Sequence, residues 1–173
     1  MKITKISAAL GVATALGVVA LPLATYAETD TTTVSVTISE TFTVSAMSAV
    51  STTVTNNTAV NESMQPTVTV ITNHATGWTL SAKTTHTGGP ALKSGNNGIN
   101  AGTPSTGTSA WAVKGGSKTS YTALSATDTL MASSSTPTSG TGVITTFTIG
   151  VTASPSQAAG SYTGTITWTG AIH

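Results

Sequence analysis

Residues 159–169 read AGSYTGTITWT, and their alternation decides the fold class. Tyr162, Gly164, Ile166 and Trp168 share one parity, and Thr163, Thr165, Thr167 and Thr169 share the other. Successive strand side chains point to opposite faces, so this pattern predicts a strand with one apolar face and one hydroxyl face. Gly160 supplies the turn into it. The reading is a closing strand whose apolar side seals a core.

Working back from that strand, the same period recurs. Phe147, Ile149 and Val151 lie inward on a strand over 143–151, which residues 152–160 return as a hairpin into the closing strand. Val68 and Val70 mark a strand within 66–73, and Trp78, Leu80 and Ala82 mark another over 78–83. The short turn between them makes 66–85 a second hairpin. Val34, Val36 and Ile38 predict a first strand, continued in parity by Phe42, Val44 and Ala46. A weaker strand is expected at 50–55, ended by the turn signal Asn56-Asn57. Two short strands are expected at 110–113 and 119–124 across Gly115-Gly116. Residues 88–109 read as a long surface excursion with one short strand near 91–93, where only Leu92 and Ile99 offer packing. The one helical turn expected lies at 127–132. Thr is β-branched and suits strands, and Thr and Ser make up about a third of the chain. Together these features predict an all-β chain, an antiparallel β-sandwich.

Residues 1–27 differ from the rest. Lys2 and Lys5 precede an apolar run over 6–20, Pro22 breaks it, and Thr25-Tyr26-Ala27 offers small residues for cleavage. This predicts a secretory signal peptide, 1–27, followed by one domain, 28–173. The apolar run is shorter than the roughly 20 residues of a membrane span, so no stable span is expected after cleavage. Without the leader, four lysines face five carboxylates, for a net charge of −1, and the chain has no Arg. No basic patch remains for nucleic acid. There is no Cys, so stability rests on the core; a chain of about 146 residues buries close to 70% of its unfolded surface.

Two segments carry a family resemblance. Gly77-Trp78-Thr79-Leu80, and Tyr162 leading to Thr165-Ile166-Thr167-Trp168-Thr169, resemble the two signature regions of WxL domains, which are small exported β-rich domains of Gram-positive cell surfaces. Trp78, Leu80 and Trp168 are the motif residues. Gly170 departs from the pattern, standing where the family has Leu. The resemblance implies an Ig-like or WxL-like sandwich held non-covalently on the cell wall, with adhesion as a role.

No chemistry-bearing constellation stands out. His74, His86 and His173 are too few and too scattered for a metal centre without Cys. Glu40, Glu62 and Asp128 show no spacing that marks a paired-carboxylate site, and the Ser residues lack a base–acid context. Neither an enzyme nor a cofactor is expected. Lys83 lies on the outward parity with Thr79 and Ser81. Trp111 and Tyr121, flanking Gly115-Gly116, are the candidate ligand-binding aromatics, with ring faces for a sugar and hydroxyls around them. The expected protein is secreted and sits at the cell surface or wall. Its partners would be cell-wall polysaccharide, peptidoglycan or another surface protein. The alternative is a self-assembling subunit of a surface fibre or pilus, joined by strand addition from residues 34–46. The Thr-X-Thr faces at 67–69 and 163–169 also admit an ice-binding reading, but they lack a flat regular repeat.

Overall fold

The computed structural model describes residues 32–84, 91–138 and 140–173. The leader expected at 1–27 and His86 lie outside the described residues. Two units separate, Met1–Thr37 and Ile38–His173. In the first, the described residues 32–37 form no strand and are exposed. The strands and the site described next belong to the second unit.

That unit is all-β, with no helix among its described residues. Its strands are β1 (Phe42–Ala46), β2 (Asn61–Met64), β3 (Thr67–Thr72), β4 (Trp78–Thr84), β5 (Leu92–Ser94), β6 (Asn97–Ala101), β7 (Ala110–Gly115), β8 (Lys118–Thr122), β9 (Thr129–Ser134), β10 (Val143–Thr152) and β11 (Ile166–Ile172). The larger sheet runs β1-β3-β10-β7-β6-β5, with β2 added to β10 and β8 to β7. The smaller sheet runs β11-β4-β9. Both contribute to one apolar core: Val68, Val70, Trp111, Val113, Phe147, Ile149 and Val151 from the first, Trp78, Leu80, Ala82 and Met131 from the second. Phe147 and Trp168 meet between the sheets with ring centroids 4.4 Å apart. The arrangement is sandwich-like.

Inward parity holds for β3, β4 and β10, but both expected hairpins are overturned. β3 pairs with β1 and β10, whereas β4 pairs with β11 and β9. Residues 73–77 therefore carry the chain across the core from one sheet to the other. The same holds for β10 and β11, which lie in different sheets. Two strands facing one core from opposite sides show the same apolar alternation as two strands side by side.

Other expectations change too. The β6–β7 pair is parallel, with Asn100 opposite Ala110 and Ala101 opposite Trp111, so the larger sheet is mixed rather than antiparallel. The excursion at 88–109 holds a β5–β6 hairpin, closed at Gly95-Asn96 with Leu92 opposite Ile99. The helical turn expected at 127–132 is instead β9, whose Met131 is fully buried. The closing strand begins only at Ile166, because Thr163 is held by β5 through paired backbone bonds with Lys93 (2.8 and 3.0 Å). The first strand begins at Phe42; Val34, Val36 and Ile38 belong to no strand. Residues 50–55 join no ladder either, although Val50, Thr52 and Val54 are half-buried at every second position.

Candidate functional site

The second unit holds a groove of about 840 Å³. Residues 46–54 form one wall and 157–166 the other, over buried Ile99, Trp111, Ile149 and Val151. The first wall is tied to β2 by the Thr52 hydroxyl with Ser63 Oγ (2.6 Å) and by Asn61 Nδ2 donating to Thr53 O (3.1 Å). The second wall is tied to β5 through Lys93 and Thr163. One end is stitched shut: Asn56 Nδ2 donates to Gln157 O (2.9 Å), Gln157 Nε2 donates to Tyr162 Oη (2.6 Å), and Tyr162 Oη donates to Ala158 O (2.7 Å). None of the groove residues carries a charge. Such a groove suits an uncharged occupant, since an ion entering it would lose water without gaining a counter-charge.

The two candidate aromatics are separated. Trp111 lies in β7, where a short strand was expected, but it is 2% exposed, beneath the groove. That burial leaves its ring little face for a sugar. β7 conceals it because four consecutive residues, Ala110 to Val113, are all buried, which erases the alternation. Tyr121 lies in β8 on the opposite, outer side of the larger sheet. Its ring passes over Gly150 of β10, where a Cβ would stand 2.5 Å from it. Its hydroxyl donates to Glu62 of β2, and Lys114 Nζ lies 4.6 Å from its ring centroid.

Lys114 Nζ also reaches Glu62 Oε1 at 2.7 Å, completing a three-residue cluster across β2, β7 and β8. The lysine hydrogen bond, then the tyrosine one, hold the Glu62 carboxyl below its ordinary value. Its bond to Glu62 raises Lys114. Partial burial, then the Glu62 hydrogen bond, raise Tyr121. The cluster was not legible in the sequence, because Glu62 and Tyr121 are far apart in the chain. Gly150, between Ile149 and Val151 of β10, was its one trace.

Two further contacts link charged or titratable side chains. Glu40 lies 3.5 Å from His74 Nε2, and His74 Nδ1 shares a 2.9 Å hydrogen bond with Thr76. Asp128 lies 3.6 Å from Lys83 Nζ. Each Asp and Glu side chain among the described residues thus has a Lys or His side chain beside it. Among those residues no three of His, Asp and Glu gather as metal ligands.

The motif residues take different places. Trp78 and Leu80 are buried in β4. Trp168 is half-buried in β11, opposite Ala82. Gly170 is opposite Leu80, and a Cβ there would stand 2.4 Å from Val44 Cγ2 and 2.6 Å from Phe42 Cζ. β1 side chains occupy the volume that a larger residue would need. No family model, curated protein or solved structure matches this chain.

Proposed function

We propose that the chain is a non-enzymatic, exported cell-surface domain with an Ig-like or WxL-like sandwich, held non-covalently on wall glycan or on a surface partner. The carrying observation is the outer face of the smaller sheet. Register places Ser81 opposite Thr169, Thr79 opposite Ala171, and Lys83 opposite Thr167. Strand alternation thus gathers Thr79, Ser81, Thr167 and Thr169 on a face that also carries half-exposed Leu130 opposite Ser81 and whose Lys83 lies beside Asp128. A neutral, hydroxyl-lined surface offers many weak hydrogen bonds to a neutral polysaccharide and no strong attraction to nucleic acid. The WxL resemblance at Trp78, Leu80 and Trp168 supports the same reading, and Tyr121 is its one half-exposed aromatic candidate. Retention of the folded, secreted protein on sedimented peptidoglycan tests it. Retention that persists in moderate salt is expected; absence of retention at low salt refutes wall binding.

A second reading, self-assembly by strand addition, is favoured by one specific observation. Val34, Val36 and Ile38 are 80%, 80% and 82% exposed.

A further inference from the structure

We infer that the uncharged groove is a binding site for a short neutral oligosaccharide carrying acetamido groups. The inference rests on the glycan reading above and adds a second, enclosed contact to it.

The groove is the mouth of the sandwich. β1 and β11 meet at Gly170, where a Cβ would stand 2.6 Å from Phe42 Cζ. Past that meeting point, Ala46 and Met47 line the groove on the β1 side, and Ile166 and Trp168 line it on the β11 side. The 157–166 wall is seated on β5 by two glycines: a Cβ at Gly160 would stand 2.6 Å from Ser94 Oγ, and one at Gly164 would stand 2.7 Å from Leu92 Cδ2. Together with the bonds that tie the other wall to β2, this close seating fixes the width of the groove before anything enters. A preformed site loses little ordering entropy on binding. Its volume of about 840 Å³ falls within the roughly 300–1,000 Å³ of small-ligand sites.

The lining divides into a floor and a rim. Ile99, Ile149 and Val151 give an aliphatic floor, and Trp168, packed on Phe147, adds an indole. The rim is polar. Thr52 and Tyr162 use their hydroxyls within the scaffold, but those of Ser48, Ser51, Ser161 and Thr165 are exposed and make no hydrogen bond among the described residues. A sugar ring has a C–H face and an edge of hydroxyls, which is the same division. Phosphates, sugar acids and free amines are excluded, because each would lose water against a lining without a counter-charge. A bare hydroxyl turned to the aliphatic floor would lose its hydrogen bonds, whereas an acetamido methyl belongs there and leaves its amide for the rim. Thr165 also joins the groove to the hydroxyl face, since Thr167 and Thr169 follow it on that face. A glycan chain lying on the face can thus send one segment into the groove.

The test titrates the folded, secreted protein with the neutral tetramer of N-acetylglucosamine, read by calorimetry and tryptophan fluorescence. Saturable binding is expected, with the matching tetramer of glucose about tenfold weaker and the deacetylated, cationic tetramer inert. Ser161→Leu fills the rim and should abolish binding. Thr165→Val removes one hydroxyl at constant shape and should weaken binding about threefold to tenfold. Both residues are exposed, so the variants keep the parent's urea midpoint. No binding of the acetylated tetramer at millimolar concentration overturns the inference. So does binding that both variants leave intact, or equal binding of the glucose or deacetylated tetramer. Peptidoglycan retention of the parent separates this site from the wall reading. Retention without tetramer binding overturns the groove site and leaves the β4–β11 face as the wall contact. Tetramer binding without retention supports the groove site and overturns wall attachment.

Discussion

Placing a larger residue at Gly170 tests how the edges of the two sheets fit. A Cβ there would lie 2.4 Å from Val44 Cγ2 and 2.6 Å from Phe42 Cζ. Ordinary carbon–carbon contact is about 3.5–4.0 Å, so both side chains must retreat by about 1 Å or more. They are the outer ends of half-buried residues on β1, so part of that shift is cheap. For Gly170→Ala the clash is offset by the roughly 0.5–1 kcal/mol gained when glycine leaves a strand interior. The net cost of the alanine is therefore small, about 0.5–1 kcal/mol. Leucine adds three carbons that have no room, and overpacking of this size costs about 2–3 kcal/mol.

The decisive measurement is a double-mutant cycle read by urea unfolding with tryptophan fluorescence. Phe42→Ala alone should cost about 2 kcal/mol, less than a fully buried phenylalanine, because the side chain is only half-buried. Combined with Gly170→Leu it should cost far less than the sum, with a coupling of about 1–3 kcal/mol, since the leucine then fills the vacated space. Wild-type stability for Gly170→Leu, or strict additivity in the cycle, would refute the steric account.

Trp168→Ala removes the ring stacked on Phe147 and should cost about 3 kcal/mol, read as a lower urea midpoint; a loss below about 1 kcal/mol would mean the two sheets do not depend on this contact. Val36→Lys should leave monomer stability within about 0.5 kcal/mol, because the side chain is exposed, and a larger fall in the melting temperature would contradict that placement. Glu62 has a depressed carboxyl value, so its stabilisation is complete above the ordinary carboxylate value of 4.5 and fades as pH falls through the lower folded value. Lys114 is raised, so its stabilisation is complete below 10.5 and fades as pH climbs through the higher folded value. Glu62→Gln should therefore flatten both limbs of the melting-temperature profile, and an unchanged profile would show the cluster to be unimportant.

The sequence carried face information well and partner information poorly. Alternation placed Val68, Val70, Trp78, Leu80 and Phe147 in the core, where they are found. It did not say which sheet each strand joins, because Val70 and Leu80 face the same core from opposite sides and read alike. Alternation also fails where both faces are covered, as at Ala110 to Val113, which is how buried Trp111 came to be read as a ligand-binding aromatic. It fails in the opposite sense at Val34, Val36 and Ile38, where a strand pattern exists without a strand. The groove was invisible because its walls, 46–54 and 157–166, are far apart in the chain and neither wall is patterned as a site.

The distribution of charge ties the two proposed roles together and separates them experimentally. The chain has no arginine, and its described carboxylates sit beside Lys83, Lys114 or His74. Long-range steering by such a surface is weak, so association must come from close contact. At the hydroxyl face that contact is hydrogen bonding to a hydrated glycan, which excluded salts such as sulfate do little to strengthen. In self-assembly through Val34, Val36 and Ile38 it is burial of valine and isoleucine, which sulfate strengthens by favouring loss of apolar surface from water. Adding sulfate at constant ionic strength should therefore promote assembly while leaving peptidoglycan retention nearly unchanged. If both respond equally, a single surface serves both processes, and the assignment of assembly to Val34, Val36 and Ile38 fails.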